Sequence, residues 1–358
     1  MPSADKYLKE LLILMNQKYA SDLHLSVGNP PYIRVDGEIA PLTFPQLTEE
    51  ECKRMLYSIM SREHLRQYQS RKVVDFSYGD SDAGRFRVNI YRQRNTIAAA
   101  IRTVSDETPV IEELGLPPDT VKSLCDRPNG LLLVAGPTGS GKSTSLAAML
   151  NYINHNKKCH ILTIEDPIEY IHENKNSLIH QRELGIDTLS FADALKYGLR
   201  EDPDVVLIGE LRDVETINMA IIMAETGHLI LSTLHTGETA ESLQRMISVF
   251  PPDQQHQIAL QLSFSLRGVI NQQLLPREDQ AGRALAYEIL IATPAIKNVI
   301  REIKPESVYS HIQIGNQYGM KTMNQSLFDL VNSGVISKET ALSKSTRIKE
   351  LGKLLDSC

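Results

Sequence analysis

The chain has 358 residues, of which 42% are hydrophobic and 23% are charged, and its formal net charge at pH 7 is -6. This composition is ordinary for a globular protein of two domains, and the negative charge argues against the basic surface of a nucleic-acid-binding protein. The longest apolar stretches have only the length of a strand and the N-terminus lacks a signal-peptide pattern, so we expect a cytoplasmic protein without a nucleic-acid partner.

The first hundred residues favour strands. After an amphipathic start, four segments follow strand patterns: residues 23–27, 72–78, 84–94 and 96–104. Asp36-Gly37 is a hairpin turn signal, and Thr48 with Glu51 forms a capping box that predicts a helix through Met60. The sequence therefore predicts an α+β domain with an antiparallel sheet over residues 1–104. Residues 105–113 are polar and contain proline, which predicts a linker.

From residue 114 onward, strand patterns alternate with helical patterns. The strand patterns lie at residues 131–135, 160–164, 205–208 and 229–232. This alternation is typical of a parallel, doubly wound sheet, so we predict an α/β fold for residues 114–358. From about residue 294 the pattern is helical, and the clearest helices are expected at residues 326–332 and 337–342.

Residues 136–144 read GPTGSGKST and match the P-loop pattern G-x-x-x-x-G-K-[ST]. A short apolar run precedes them and a helical pattern follows, as a P-loop requires. Backbone N–H groups and the helix N-terminus then face the phosphates, Lys142 adds charge, and Ser143 offers its hydroxyl to Mg²⁺. We therefore expect a nucleoside triphosphate to bind Gly136, Pro137, Thr138, Gly139, Ser140, Gly141, Lys142, Ser143 and Thr144.

Two acidic segments follow predicted strands of the same sheet. Glu210 comes at the edge that carries the P-loop, where a carboxylate orients the attacking water as general base; the alternative is a surface carboxylate that caps the next helix. Glu165, Asp166 and Glu169 lie within five residues and form either a Mg²⁺ site or a solvated acidic loop. Glu169 and Glu210 are the candidates for holding Mg²⁺ through water.

Histidine and arginine supply further candidates for contacts with the γ-phosphate. His228 and His235 bracket one strand pattern, and each is either a γ-phosphate contact or an ordinary packed or surface histidine. The P-loop domain offers no evident arginine beside the γ-phosphate, and such an arginine often comes from elsewhere. A natural donor is the cluster in the first domain, which contains Arg85, Arg87, Arg92, Arg94 and Arg102.

These motifs resemble those of the type IV pilus retraction ATPases, the PilT family of the secretion ATPase superfamily. The resemblance covers nearly the whole chain and depends on the P-loop, an Asp box at 164–170, an atypical Walker B motif at 209–213 and a His box at 226–236. It implies a RecA-like ATPase domain with C-terminal helices, a PAS-like N-terminal domain, and ATP with Mg²⁺ as ligands. By resemblance, the residues implicated beyond the P-loop are Arg87, Arg102, Glu165, Asp166, Glu169, Glu210, His228 and His235.

The resemblance also implies a homohexamer that turns ATP hydrolysis into pilus retraction. Its expected place is the cytoplasmic face of the inner membrane, where it associates peripherally through the platform protein and other pilus machinery. Residues 295–302 resemble the AIRNLIRE motif of the retraction branch, with Lys297 for Arg and Val299 for Leu. This segment predicts an amphipathic helix that packs its apolar residues Ile296, Val299 and Ile300 into a core.

Three rival functions remain open at this point. One is an accessory retraction paralogue of the PilU type, and another is a secretion or DNA-translocation ATPase of the same superfamily, which the acidic composition disfavours. The third is a nucleotide-binding scaffold without turnover, which the intact Lys142, Glu169 and Glu210 disfavour. Extension and type II secretion ATPases often carry a four-cysteine metal module. Here no C-x-x-C pair occurs, so reduced thiols are expected at Cys52, Cys125, Cys159 and Cys358.

Overall fold

The computed structural model describes residues 4–35, 37–104, 108–280 and 282–356. The chain divides into two units: Met1–Glu107 with Pro167–Ile171, and Thr108–Asp166 with His172–Cys358. Asp36 of the expected hairpin turn, residues 105–107 of the expected linker and Cys358 lie outside the described residues. Within the part of the chain that the structure describes, no helix is both long and apolar enough to span a membrane.

The first unit is an α+β structure, as the strand patterns predict. Its helices are α1 (Ala4–Gln17), α2 (Glu49–Ser58) and α3 (Arg62–Arg71). Its strands are β1 (Asp22–Ser26), β2 (Tyr32–Val35), β3 (Glu38–Pro41), β4 (Val73–Asp80), β5 (Gly84–Gln93) and β6 (Thr96–Val104). They form one antiparallel sheet in the order β3-β2-β1-β6-β5-β4, and α1 and α2 bury apolar side chains in a core shared with the strands. The capping box of Thr48 and Glu51 is present at the start of α2.

The second unit alternates strands and helices over most of its length. Its strands are β7 (Gly130–Ala135), β8 (His160–Glu165), β9 (Leu178–Glu183), β10 (Val205–Ile208), β11 (Leu229–Leu234), β12 (Leu266–Pro276) and β13 (Arg283–Ile291). Its first helices are α4 (Pro118–Cys125), α5 (Lys142–Asn156), α6 (Phe191–Gly198), α7 (Val214–Glu225), α8 (Thr239–Ser248) and α9 (Pro252–Ser265). The last are α10 (Pro294–Arg301), α11 (Val308–Gln313), α12 (Met323–Asn332), α13 (Lys338–Lys344) and α14 (Ile348–Asp356).

The seven strands of this unit form one sheet in the order β13-β12-β7-β11-β10-β8-β9. Neighbouring strands from β12 to β9 run parallel, and β13 pairs antiparallel with β12. The predicted parallel sheet is therefore confirmed for its centre, but the antiparallel β12–β13 hairpin is an addition that the sequence patterns did not predict. Its strands carry buried polar residues such as Asn271 and Glu288, which interrupt the apolar pattern of a central strand.

Helices cover both faces of this sheet. Because side chains alternate along a strand, Leu131 and Leu133 of β7 pack with α7 and α9, whereas Leu132 and Val134 pack with α4 and α5. Every residue of β7, β10 and β11 is buried. The loops that follow the parallel strands therefore lie together at the edge formed by the carboxyl ends of these strands.

The C-terminal helices follow the prediction closely. The expected helices at 326–332 and 337–342 correspond to α12 and α13. The predicted helix 295–302 corresponds to α10, which buries Ile296, Val299 and Ile300 as expected from its amphipathic pattern. Together with β12 and β13, the helices α12, α13 and α14 enclose a separate small core that contains Leu275, Leu327 and Leu351.

Candidate nucleotide site

The P-loop leaves β7 at the carboxyl edge of the sheet and enters α5. Gly139 and Gly141 have φ values of 79° and 89°, in the left-handed region that glycine adopts without strain. Gly136 has a φ of 141°, and a Cβ atom there would lie 2.4 Å from the backbone oxygen of Gln272 on β12. Gly136 and Gly141 are the positions that the pattern specifies, and the close approach to β12 at Gly136 and the loop conformation at Gly141 favour glycine there.

The start of α5 has the properties of an anion site. Its N-cap is Gly141, which has no side chain to satisfy the first N–H groups, and its first turn contains no carboxylate. The hydroxyl of Ser140 is buried without a hydrogen-bond partner among the described residues. These features fit the phosphates of a nucleotide, and Ser143 in the first turn fits a Mg²⁺ ion that phosphate oxygens also bind.

Lys142 lies across the P-loop. Its side chain is buried, and Nζ donates hydrogen bonds to the backbone oxygens of Gly136 at 2.8 Å and Pro137 at 3.0 Å. Nδ1 of His235, the residue after β11, lies 3.4 Å from the same Nζ. The amine is therefore held over the P-loop by two of the loop's own carbonyl groups.

Glu210 follows β10 at the same edge and is partly buried. Its Oε2 lies 2.7 Å from Nη2 of Arg212 and 3.5 Å from Nε2 of His235. Burial raises the pKa of Glu210, but the hydrogen bond and charge of Arg212, with a smaller contribution from His235, outweigh this effect and lower it below the usual value. The carboxylate is therefore ionised at neutral pH, as a general base must be.

His235 connects the two halves of the site. Its imidazole lies between Glu210 and Lys142, in contact with both, and the structure thus joins the P-loop, the Walker B segment and the His box. The loop geometry is fixed by neighbouring strands, since Thr233 donates to the backbone oxygen of Gly209 at 2.6 Å. Of the two histidines predicted as γ-phosphate contacts, His235 is the one that the structure brings to the site.

His228 does not reach this place. It precedes β11, and its Nδ1 lies 2.9 Å from the backbone oxygen of Met223 at the amino end of the strand. His228 and His235 flank the six residues of β11, so seven residue steps of ~3.3 Å separate them by about 23 Å. The structure therefore places His228 away from the P-loop of its own chain, because the two ends of one strand lie at opposite edges of the sheet, and its role as a nucleotide contact stays a prediction.

Glu165, Asp166 and Glu169, the carboxylates at the end of β8 and just after it, lie in different surroundings. Thr163 donates to Glu165 at 2.6 Å and Gln181 donates to it at 3.3 Å. Asp166 is exposed, and its negative charge adds to the larger effect of Glu210 in raising the pKa of Arg212. Glu169 belongs to Pro167–Ile171, the segment grouped with the first unit. Within the described residues, no three His, Cys, Asp or Glu side chains converge on one point, so the Mg²⁺ roles of the acidic segment stay predictions.

The two implicated arginines are neighbours in the first unit. Arg87 on β5 and Arg102 on β6 are directly opposite each other in the antiparallel register. Each also contacts a carboxylate: Nη2 of Arg87 lies 2.9 Å from Asp75, and Nε of Arg102 lies 3.0 Å from Asp22. Like charges that face each other across two strands repel, so the flanking carboxylates stabilise the pair.

Two features of the site do not follow from the sequence patterns. Arg212 is an arginine of the P-loop domain beside the candidate base, although no such arginine was predicted. It stands within the Walker B segment 209–213, two residues after Glu210, and this position was the available signal. The other is Gln272, which is fully buried and donates to the hydroxyl of Ser145 on α5 at 2.7 Å. Its signal was a run of three polar residues, Asn271-Gln272-Gln273, between apolar residues.

Comparisons with known proteins agree with this geometry. The sequence profile of the family described as "Type II/IV secretion system protein" matches residues 4–346. The chain is 46% identical to the type IV pilus retraction ATPase PilT of Pseudomonas aeruginosa, over 94% of this chain and 98% of the relative. It is 48% identical to a twitching motility protein of Neisseria gonorrhoeae, covering 87% and 83% of the two chains. It is 39% identical to the type IV pilus ATPase PilU of Pseudomonas aeruginosa, covering 96% and 90%.

Solved structures show the same fold. A crystal structure of the pilus retraction motor PilT with bound ADP superposes with a TM-score of 0.90 at 47% identity, covering 96% of this chain and 98% of that one. The ATPase DotB of Legionella pneumophila superposes with a TM-score of 0.79 at 26% identity, covering 94% of each chain. The second unit is thus a RecA-like P-loop domain. With its P-loop, Walker B and His-box segments meeting at one sheet edge, this chain belongs to the Type II/IV secretion system protein family and is similar over nearly its whole length to pilus retraction ATPases.

Proposed function

We propose that this protein is an ATPase motor that powers the withdrawal of a type IV pilus by Mg²⁺-dependent ATP hydrolysis, working as a homohexamer. The observation that carries the proposal is the contact series Glu210–His235–Lys142 beside the P-loop. The similarity to PilT supports pilus withdrawal as the process that hydrolysis drives. On this proposal the motor works at the cytoplasmic face of the inner membrane, bound to the platform protein of the pilus machinery.

The residues of the site divide the work of hydrolysis. P-loop N–H groups and Lys142 bind the phosphate oxygens and fix the γ-phosphate for attack. Glu210 accepts a proton from water as the water oxygen bonds to the γ-phosphorus, and the bond from that phosphorus to the bridging oxygen breaks to give ADP and phosphate. Arg212 keeps Glu210 ionised and oriented. Ser143 would hold Mg²⁺, with Glu169 or Glu210 through water, and the ion supplies positive charge against the phosphate oxygens.

Deletion of the gene, followed by imaging of labelled pili, tests the biological part of the proposal. We expect pili that extend and fail to withdraw. Normal withdrawal in the deletion strain would contradict the role of a principal motor. The 39% identity to PilU favours an accessory retraction ATPase as the second candidate, and withdrawal that persists with reduced force would support it.

We further propose that Arg87 and Arg102 supply positive charge to a γ-phosphate bound by another subunit of the ring. Their paired position on β5 and β6 supports this, because two guanidinium groups side by side form a strong anion contact. An arginine supplied in this way raises turnover by about 10³-fold or more. Asp22 and Asp75 would hold the two side chains in place between catalytic events.

Mixed rings test this trans arrangement. Arg102→Ala and Lys142→Ala chains are each expected to be inactive alone, but a mixture should recover part of the ATP turnover, because the Lys142→Ala chain still offers Arg102 to an intact P-loop. The matched control mixes Arg102→Ala chains with chains that carry both substitutions, in which no Arg102 is present. Equal activity in the two mixtures, with ring assembly verified, would contradict the arrangement.

The helix α10 gives a prediction that separates hydrolysis from pilus withdrawal. Asn298 and Arg301 are exposed, and Nη2 of Arg301 donates a hydrogen bond to Oδ1 of Asn298 at 3.2 Å. Exposed substitutions usually change stability by no more than about 0.5 kcal/mol. Changing both residues to Ala should therefore leave folding, ring assembly and ATP turnover near normal while abolishing twitching in cells.

The matched control for α10 is the exposed pair Glu63 and Arg66 on α3, which has the same helical spacing and a similar contact at 3.6 Å. Replacing both with Ala should leave twitching unchanged. Loss of ATP turnover in the purified Asn298→Ala/Arg301→Ala protein, or normal twitching of cells that carry it, would return α10 to a purely structural role.

A further inference from the structure

The β12–β13 hairpin places two buried polar side chains behind the nucleotide site. Asn271 on β12 and Glu288 on β13 are directly opposite in the antiparallel register, so their side chains lie on the same face of the sheet. Asn271 is fully buried and Glu288 is 4% exposed. A carboxylate at such a position is costly unless hydrogen bonds compensate for its lost hydration. The N–H and O–H groups that donate hydrogen bonds to Glu288 belong to segments far apart in sequence.

Asn271 fixes the loop that follows His235. Its Nδ2 donates to the backbone oxygen of Thr236 at 3.0 Å. The hydroxyl of Thr236 lies 2.6 Å from that of Ser242 on α8, and both side chains are buried. The residue directly after His235 is therefore held from two sides, and the imidazole is positioned by this anchorage.

Glu288 joins the start of α8 to the start of α12. Its Oε1 accepts from the backbone N–H of Thr239 at 3.1 Å and from the hydroxyl of Thr239 at 2.5 Å. Its Oε2 accepts from the backbone N–H of Met323 at 3.3 Å. Thr239 and Met323 are the first residues of α8 and α12, so each carboxylate oxygen faces a helix N-terminus, where negative charge is favourable.

Two opposing kinds of effect act on the pKa of Glu288, and their net result raises this pKa above its ordinary value. Burial raises the pKa of its carboxyl group, while the hydrogen bonds from Thr239 and Met323 lower it. The neighbouring charge on the side of α8 is Glu238, the residue before Thr239, which raises the pKa further. Both oxygens of this carboxyl group accept hydrogen bonds, so its position is fixed on the side of α8 and on the side of α12.

We propose that Glu288 is a positioning residue for ATP hydrolysis. It holds the loop after His235 against the N-terminus of α12, so that the geometry at the γ-phosphate depends on the hydrogen bonds that Glu288 accepts from Thr239 and Met323. The inference rests on the proposed function, since it assigns to Glu288 a part in the same reaction.

The central test is Glu288→Gln, which keeps the size of the side chain but puts an NH₂ group against one of the N–H donors. Assembled rings of this variant should lose about 10- to 100-fold in kcat, the scale expected for slight misplacement of reacting groups, with KM for ATP within about threefold of wild type. Thr239→Val removes one donor on the side of α8 and should lower kcat in the same sense. The double variant should lose less than the product of the two single effects, because both substitutions break one connection.

A second pair of variants isolates the α12 connection. Met323 is the first residue of α12, a position where proline fits, and Thr322 before it is already extended, with φ -79° and ψ 156°. Met323→Pro removes the N–H that reaches Glu288, and Met323→Ala removes only the side chain. We expect a lower kcat for Met323→Pro than for Met323→Ala at comparable thermal stability.

Ser326→Ala controls for general loosening of α12. Its hydroxyl accepts from the backbone N–H of Tyr287 at 3.1 Å, so it joins β13 to α12 without involving α8. Its kcat should stay near that of wild type. The proposal is overturned if folded Glu288→Gln rings keep wild-type kcat, if Ser326→Ala loses as much, or if Met323→Pro equals Met323→Ala. Failure of the wild-type protein itself to hydrolyse ATP would instead refute the proposed function.

Discussion

Replacing Glu210 with Gln is expected to leave ATP binding nearly normal and to lower turnover by about 10²- to 10⁴-fold, the contribution of a positioned general base. The amide keeps the shape of the side chain and its place beside Arg212, but it cannot accept the proton from water. The measurements are the equilibrium affinity for ATP and the steady-state release of phosphate by assembled rings.

Glu215→Gln is the matched control for this prediction, because it makes the same chemical change on an exposed residue five positions further along the chain. It should keep wild-type turnover. If Glu210→Gln also kept wild-type turnover, the base would lie elsewhere, and Glu169 would become the better candidate. If Glu210→Gln lost ATP affinity in parallel with turnover, Glu210 would be a binding residue.

Lys142→Ala should lose nucleotide affinity and turnover together, since the amine binds the phosphates in the ground state and in the transition state. One charge-assisted hydrogen bond contributes about 1.5–3 kcal/mol, so the affinity should fall by roughly 10- to 100-fold for each hydrogen bond to phosphate that the substitution removes. Titration with a fluorescent ATP analogue measures the affinity, and phosphate release measures the turnover.

Lys157→Ala is the control for removal of a structural lysine. Nζ of Lys157 also donates to two backbone oxygens, of Cys125 at 2.7 Å and Arg127 at 3.3 Å, but it lies at the end of α5 away from the P-loop. Its removal should cost some stability and leave nucleotide affinity unchanged. Wild-type affinity in Lys142→Ala would show that the amine makes no contact with phosphate.

The sequence was sufficient for the P-loop conformation, the central parallel strands and the position of Glu210 at the sheet edge, because each depends on a local pattern. Glycine positions, an apolar run and a following amphipathic helix leave little freedom for residues 130–156. The same holds for α10, where the apolar spacing alone predicted which side chains are buried.

The elements that escaped prediction depend on partners distant in sequence. The strand pair β12–β13 contains Asn271, Gln272 and Glu288, whose buried side chains form hydrogen bonds with other segments of the chain. The helix α3 has almost no apolar pattern and begins at a capping box between Ser61 and His64. The spacing of two histidines around a strand does not tell which end of the strand lies beside the P-loop, and His228 lies at the other end.

The close approach of Gly136 to β12 also bears on how this chain would diverge over evolutionary time. The obstacle to a side chain at this position is the backbone oxygen of Gln272, which belongs to the sheet and is present whether or not a nucleotide is bound. Selection for folding alone therefore retains Gly136, whereas on the proposed function Lys142 and Glu210 are retained by selection for nucleotide binding and hydrolysis. A descendant that had given up ATP for a scaffolding role would keep the first glycine of the motif while its lysine and catalytic carboxylate drifted.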